Sequence, residues 1–392
     1  MGEAAELPAR PAGLAEVARE WTRIGVTGFG GPPAHVALLR RLVVDRHGWL
    51  DAREFEDANA ACGLLPGPAS TQLAIYCAYR VAGRAGALVG GLGFVLPAVL
   101  VVLALSPLFL GSSPPTWVLG TSAGAGAALP VVALYAAGML IGPSLAGVRH
   151  RPDRVLRWVL YLVTGAVVAV LAGSYLVLAL AACGGVELLL WRRRTPVAPG
   201  PSRLRAALVP VSVSSGGIPA LAWTALKVGA LSFGGGFVII PLMQGDAVHV
   251  NHWMTEQQFL TAVALGQVTP GPVVATVAAV GYAAHGLGGG ALAAAIAFSP
   301  SFLFVLFGAG LFGRLRAGGA PRAFLDGAGP AAIGAILGAA VTLAMGLQEG
   351  WQFLLLGLSA VAVLLLGRSF LATLLASAGI GLVLGLAGAP LP

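Results

Sequence analysis

Charge is what this sequence has little of. Only 10% of its 392 residues are Asp, Glu, Lys or Arg, against about 25% in a soluble domain, and lysine occurs once, at Lys227. With 57% hydrophobic residues and a mean hydropathy of +0.88, that scarcity excludes an ordinary soluble domain. Uncharged stretches such as Leu88 to Thr116 and Leu354 to Gly367 suit hydrocarbon. Cysteine is also scarce: Cys62, Cys77 and Cys183 show no metal-ligand or redox spacing and read as small buried hydrophobes. No phosphate loop, zinc motif, nucleophile elbow or intramembrane acid/base pair occurs, so the expectation is a non-enzyme with no catalytic residue, no metal and no cofactor. The N-terminal stretch (Glu3, Glu6, Arg10, Glu16, Arg19, Glu20) lacks a hydrophobic core of its own. The first apolar segment is therefore expected to direct insertion.

What is present is a net charge of +8, carried by arginines in short loops between apolar segments. They group at Arg149, Arg151, Arg154 and Arg157, and again at Arg192 to Arg194 with Arg203 and Arg205. Such clusters report membrane topology, and without aromatic interleaving they give no nucleic-acid surface.

The chain repeats itself at an offset of 204 residues: Phe29-Gly30-Gly31 returns as Phe233-Gly234-Gly235, and Pro66-Gly67-Pro68 as Pro270-Gly271-Pro272. Gly25, Trp49, Phe55, Gly86 and Phe94 find identical partners at Gly229, Trp253, Phe259, Gly290 and Phe298 in the same register. Two repeat units follow, 1–197 and 198–392, joined by an Arg-, Pro- and Ser-rich linker from about Trp191 to Pro219. Apolar segments at roughly 20–43, 57–79, 84–110, 116–142, 155–172 and 174–191 recur in the second unit.

Loop charge inverts between the units. In the first, basic residues follow segments one, two, four and six. In the second, no Lys or Arg occurs between Val228 and Gly313, and the basic positions are Arg314, Arg316, Arg322 and Arg368. Inversion needs an odd number of crossings, and segment two has basic loops at both ends. The expected fold is therefore an all-α polytopic membrane protein, two inverted repeats of about five spans plus one re-entrant or broken element each, with the C-terminus outside.

Broken helices in lipid are tolerated only where protein or a water-filled cavity satisfies the freed backbone groups. One break is Gly28-Phe29-Gly30-Gly31-Pro32-Pro33 beside His35, matched by Ser232 to Gly236. The other is Pro66-Gly67-Pro68 followed by Ser70, Thr71 and Gln72, matched by Gln267 and Pro270-Gly271-Pro272. Pro-Gly-Pro ends one helix and starts the next, leaving N–H groups and a positive dipole end that attract an anion, to which the Ser, Thr and Gln side chains add donors. A matched cation accompanies the breaks: Arg23 and Lys227 each lie six residues before the Phe-Gly-Gly. Lys227, in an apolar run, is a candidate substrate contact, whereas Arg23 reads equally as snorkelling to an interface. Arg23, His35 and Asp246 are the candidates for coupling to protons, with a structural role as the alternative for each. The charged stretch from Asp45 to Asp57 reads as solvated ion pairs, and Gly288 to Gly290 as helix packing.

The run Gly25 to His35, containing Phe29-Gly30-Gly31-Pro32, and the run Leu65-Pro66-Gly67-Pro68 with Gln72-Leu73-Ala74 resemble the two signatures of the chromate transporter family in its two-domain form. The resemblance spans nearly the whole chain. It implies proton-motive-force-linked export of chromate across the bacterial inner (cytoplasmic) membrane, with sulfate as a related anion, and leaves a homodimer open. Gly236 in place of Pro32, and Ser232 in place of Gly28, make the two half-sites unequal. The residues alone also admit a passive anion channel built on the same helix ends.

Overall fold

The computed structural model describes residues 12–65, 67–111, 113–149, 151–194, 217–232, 236–308 and 319–392. Among these the regular structure is entirely helical, as hydrocarbon demands of a chain that cannot leave backbone groups unpaired. The first half holds α1 (Leu14–Thr27), α2 (Gly31–Arg40), α3 (Ala52–Leu64), α4 (Ala69–Leu110), α5 (Thr116–Ala146), α6 (Pro152–Ala172) and α7 (Leu176–Arg194). The second holds α8 (Gly217–Leu231), α9 (Ile239–Gln244), α10 (Glu256–Val268), α11 (Thr276–Gly308), α12 (Gly319–Met345), α13 (Gly350–Ala360) and α14 (Phe370–Leu386). The protein is an all-α polytopic membrane protein: stretches 69–110, 116–146, 152–193, 273–308 and 319–345 are each long and apolar enough to cross a bilayer.

The repeat is legible in the elements. Helices α3 and α10, and the π-helical turns Arg41–Arg46 and Gly245–Val250 that extend α2 and α9, match at 204 to the residue. Beyond the Pro-Gly-Pro turns the register slips by one. α4 breaks at Ala82 (φ −140°) and Gly83 (φ 64°), and α11 breaks with nearly the same angles at His285 (φ −147°) and Gly286 (φ 64°), 203 residues on. The 204 pairing of Gly86 with Gly290 and of Phe94 with Phe298 is thus replaced by one that aligns Pro97 with Pro300 inside the helices.

Loop charge points to the second segment as the one that folds back, and the first folds back as well. α1 has 14 residues, roughly 21 Å at ~1.5 Å each, too short for a ~30 Å core. Its buried stripe, Val17, Glu20, Trp21, Ile24 and Gly25, has helical spacing. α2 then returns beside it, with Arg46 3.2 Å from Glu20 and the Trp21 and Trp49 rings stacked 6.2 Å apart. Next, α3 and the first part of α4 form a second hairpin, whose open end is closed by the Glu54–Arg80 ion pair and whose tip holds Gly67 and Pro68. At the break, α4 doubles back so that Ala78 packs on Gly86 and Gly90. The second half repeats this, with Asp246 bonded to Thr224 and Gly281 packed on Gly289 and Ala293.

The long parts of α4 and α11 lie antiparallel, since Gly91 faces Phe302 while Leu103 faces Gly290. Equivalent helices that pair antiparallel are what an inverted repeat produces. The outer helices are exchanged: α5 packs on α14 through Gly120, Gly124 and Gly381, and α12 packs on α6 and α7 through Gly165, Gly334 and Gly327. Small residues allow that close approach where no hydrophobic force separates lipid from helix.

Candidate functional site

The hairpin tips of the two halves meet at the centre. The Gly271 amide, at the tip between α10 and α11, donates to the Gly28 carbonyl at the end of α1 over 3.0 Å. Reciprocally, the bare face of Gly67 lies against the Gly229 carbonyl of α8. Both tip glycines hold the left-handed conformation, φ 114° at Gly67 and 107° at Gly271, which side chains rarely adopt.

Beside the tips lies a cavity of about 690 Å³. Its walls come from the start of α2 (Gly30, Gly31, Pro32, Pro33), the Gly67 tip with Ala69 and Ser70, and Gln267 and Val273 of the second half. Helix α5 closes it with Val132, Tyr135 and Met139. Three helix starts therefore point at one space, and none has a side-chain cap: α2, α4, and the 3₁₀ turn Val273–Ala275 that leads into α11. Pro32 and Pro33 lack N–H groups, so α2 lends mainly its dipole, whereas α4 presents the free amides of its first turn. No lining residue carries an ionised side chain. Among the described residues the Gln267 side-chain amide nitrogen is buried with no partner, a donor with an unmet demand at the cavity wall.

His35 lies just behind this wall, fully buried. Its Nε2 is 3.0 Å from the Gly28 carbonyl, the acceptor already used by Gly271, and its Nδ1 is 3.4 Å from the Ser70 hydroxyl. A carbonyl only accepts, so Nε2 carries the hydrogen and Nδ1 is left to face Ser70. Phe94 meets the ring edge-on at 5.0 Å. A crevice of about 20 Å³ joins His35 and Ser70 to Pro68, Pro272 and Val274 of the two Pro-Gly-Pro turns.

Of the residues singled out in sequence, Gly30, Gly31, Pro32, Gly67, Ser70 and Gln267 line the cavity, with His35, Pro68 and Pro272 on the adjoining crevice. Thr71 and Gln72 are fully buried on the first turns of α4, and the Gln72 amide covers Gly67. Phe29 is 43% exposed and outside the cavity wall, and Arg23 is exposed on α1. Pro66, Phe233, Gly234 and Gly235 lie outside the described residues; Pro270 and Gly271 form their tip as expected of a Pro-Gly-Pro turn. Lys227 is directed away: its ammonium pairs with Asp246, which also accepts from Thr224 Oγ1 at 2.9 Å, and it lies 5.8 Å from the Trp223 ring centre. Asn59, Tyr135 and Phe237 also line the cavity and were not anticipated. A stripe on α5 can be assigned to a wall only once the helix is known to pack against the tips.

Comparison with known proteins adds an identity to this geometry. The family model described as chromate transporter matches residues 15–188 and 219–382. A chromate transport protein of Cupriavidus metallidurans is 36% identical over 366 residues, covering 90% of this chain and 88% of that protein. A probable chromate transport protein of Synechococcus elongatus is 31% identical, covering 89% of each chain. A chromate transport protein of Pseudomonas aeruginosa is 31% identical over 92% of this chain and 88% of its own. No solved structure matches.

Proposed function

The chain belongs to the chromate transporter family, and from that membership we propose that it is a secondary transporter of tetrahedral inorganic oxyanions, chromate first and sulfate as a related anion. The observation that carries the reading is the neutral cavity where uncapped helix starts converge beside the unpartnered Gln267 amide. A dianion leaving water must recover its hydration, and fixed N–H dipoles supply that without a permanent counter-charge that would hold it in place. Phe29, Thr71, Gln72, Lys227 and the Phe233-Gly234-Gly235 motif complete the proposed contact set as the cavity changes shape during transport.

The cycle we infer is alternating access, with export from a bacterial cytoplasm across the inner membrane. Supporting it, the cavity is walled mainly by the first half. The positions 204 residues on from its partly exposed lining residues Val36 and Asn59 are Ile240 and Val263, both buried. A channel would need a path on both sides at once, so this burial favours a transporter over a passive pore. The open ends of the first-half hairpins carry Arg46, Arg53, Arg80 and Arg84, which assigns them to the cytoplasmic face. Proton coupling is assigned to His35, between the cavity and the inter-half bond, with Asp246 and Arg23 as the other coupling candidates.

The test is uptake into proteoliposomes of the purified chain, with chromate as substrate and sulfate as competitor. Saturable, gradient-driven chromate accumulation inhibited by sulfate is the expected result. Conductance without accumulation would replace the transporter with a channel, and transport of neither anion would overturn the reading.

A further inference from the structure

Half-helix ends at the centre of a membrane come in two polarities, and those that attract anions have already been assigned. The opposite polarity belongs to the C-terminal ends of α1 and α8, whose last carbonyls carry partial negative charge. In the first half that charge is met by the protein itself, because the Gly28 carbonyl accepts from both His35 Nε2 and the Gly271 amide. In the second half the position matching His35 is Ile239, a hydrocarbon side chain that cannot donate.

Two oxygen atoms of the second half converge beside the Gly67 tip at this end. A Cβ built on Gly67 would stand 3.1 Å from the Gly229 carbonyl, in the last turn of α8, and 3.6 Å from Ser301 Oγ. Ser232, immediately after α8, and Ser301, inside α11, are both 0% exposed, and among the described residues neither hydroxyl has a hydrogen-bond partner. A helical serine usually satisfies itself on its own backbone, as Ser299 does on Ile296 and Ser106 on Val102. Ser301 forgoes that bond.

The mirrored tip serves as an internal control. The three atoms nearest to a Cβ built on Gly271 are Ala98 Cβ and the Gly25 and Phe94 carbonyl oxygens, none of them from a polar side chain. Closing a tip therefore does not require serine, and the hydroxyls at the Gly67 tip call for another explanation. Lys227 does not supply the missing charge, since its ammonium is neutralised by Asp246.

We propose that the C-terminal end of α8 binds a small monovalent cation of the sodium class, ligated by Ser232 Oγ, Ser301 Oγ and the Gly229 carbonyl. Neutral oxygens at a broken helix end are the coordination such ions use inside membranes. One cation here, behind the Gly67 tip that walls the anion cavity, offsets part of the dianion's charge and links its occupancy to that of the cavity.

The experiment is thermal unfolding of the purified full chain in sodium chloride against choline chloride at constant ionic strength, with lithium and potassium chloride for comparison. The expected result is a saturable sodium-dependent rise in Tm, with the half-saturating concentration raised tenfold or more in Ser301→Ala and in Ser232→Ala but unchanged in Ser299→Ala. Equal Tm in sodium and choline for the wild-type chain would overturn the site, as would a response untouched by both serine variants; the hydroxyls would then hold water only. Ser301→Ala reproduces the Ala98 arrangement of the other half and is expected to fold; if it does not, Ser232→Ala decides. Chromate-induced stabilisation measured in choline chloride reports on the anion cavity alone, so failure of the transport reading and failure of the cation site are distinguishable.

Discussion

The Gly271 amide donates to the Gly28 carbonyl across 3.0 Å, and the same carbonyl accepts from His35 Nε2. One backbone oxygen of the first half therefore joins the buried His35 to the hairpin tip of the second. Any motion that parts the halves must break or exchange this junction. A proton on His35 and the position of the Gly271 tip are thus physically linked.

Substituting the tip glycines tests how tightly that junction is packed. In Gly271→Ala the new Cβ would stand 2.9 Å from Ala98 Cβ, which cannot retreat, whereas in Gly67→Ala it would meet the Gln72 amide at 2.7 Å, which can swing aside. Both also carry the left-handed penalty of roughly 1–2 kcal/mol. The expected order of Tm in thermal unfolding is wild type, then Gly67→Ala, then Gly271→Ala. The reverse order would contradict the packing at the tips.

The Lys227–Asp246 pair yields a double-mutant test. Both side chains are largely buried, at 10% and 5% exposure, so removing one partner strands a charge at a cost of about 3–5 kcal/mol. Lys227→Met and Asp246→Leu are each expected to lower Tm sharply, and the combined variant to recover most of the loss. If Lys227 also contacts the oxyanion during the cycle, the stable double variant loses transport. Retained transport would confine Lys227 to a structural role.

That pair also shows where the sequence was informative and where it was not. The 204-residue repeat locates the two Pro-Gly-Pro breaks, and the same offset relates the π turns and the helices α3 and α10, because identical residues at so constant a spacing do not arise from composition. It misplaces Gly86 and Phe94 by one, because glycine and alanine are so frequent beyond the tips that two registers fit equally well; only the φ/ψ break at Ala82 and His285 decides. Lys227 and Asp246 were both noticed and were not paired, since the first-half counterpart of Asp246 is Leu42, which offers no template. In that half the polarity is reversed: Glu20 on α1 pairs with Arg46 on the π turn. The fold-back of α1 and α2 likewise escapes charge counting, which sees both ends of the hairpin as a single loop.

Gln267 is the side chain whose loss should weaken anion binding most directly. A hydrogen bond to a charged group is worth about 1.5–3 kcal/mol, so Gln267→Leu is expected to raise the Kd for chromate by roughly tenfold to a hundredfold. Gln267→Glu should be worse, because it sets a negative charge against the anion. Equilibrium binding to the purified protein gives both values. An unchanged Kd in Gln267→Leu would remove this residue from the site.

Coupling through His35 makes a prediction about driving force. Glutamine in its place keeps a donor for the Gly28 carbonyl but cannot carry a proton. Dissipating the pH gradient across proteoliposomes should slow wild-type chromate flux several-fold. His35→Gln should be slower at the outset and indifferent to the gradient. Wild-type flux that ignores the gradient would discard proton coupling altogether.

The antiparallel pairing of α4 with α11 demands that equivalent loops lie on opposite faces, and single cysteines can report it. The native cysteines Cys62, Cys77 and Cys183 are all buried, so background labelling should be low. Arg53 is exposed at the open end of a first-half hairpin, and Val250 is 50% exposed at the open end of a second-half one. With basic loops retained inside, a membrane-impermeant maleimide added to intact cells should label Val250→Cys, and should reach Arg53→Cys only after permeabilisation. The C-terminal Pro392 should share the face of Val250, because α14 continues the inverted half. Labelling of both cysteines from one side would dismantle the inverted arrangement, and with it the alternation of the cavity between the two faces.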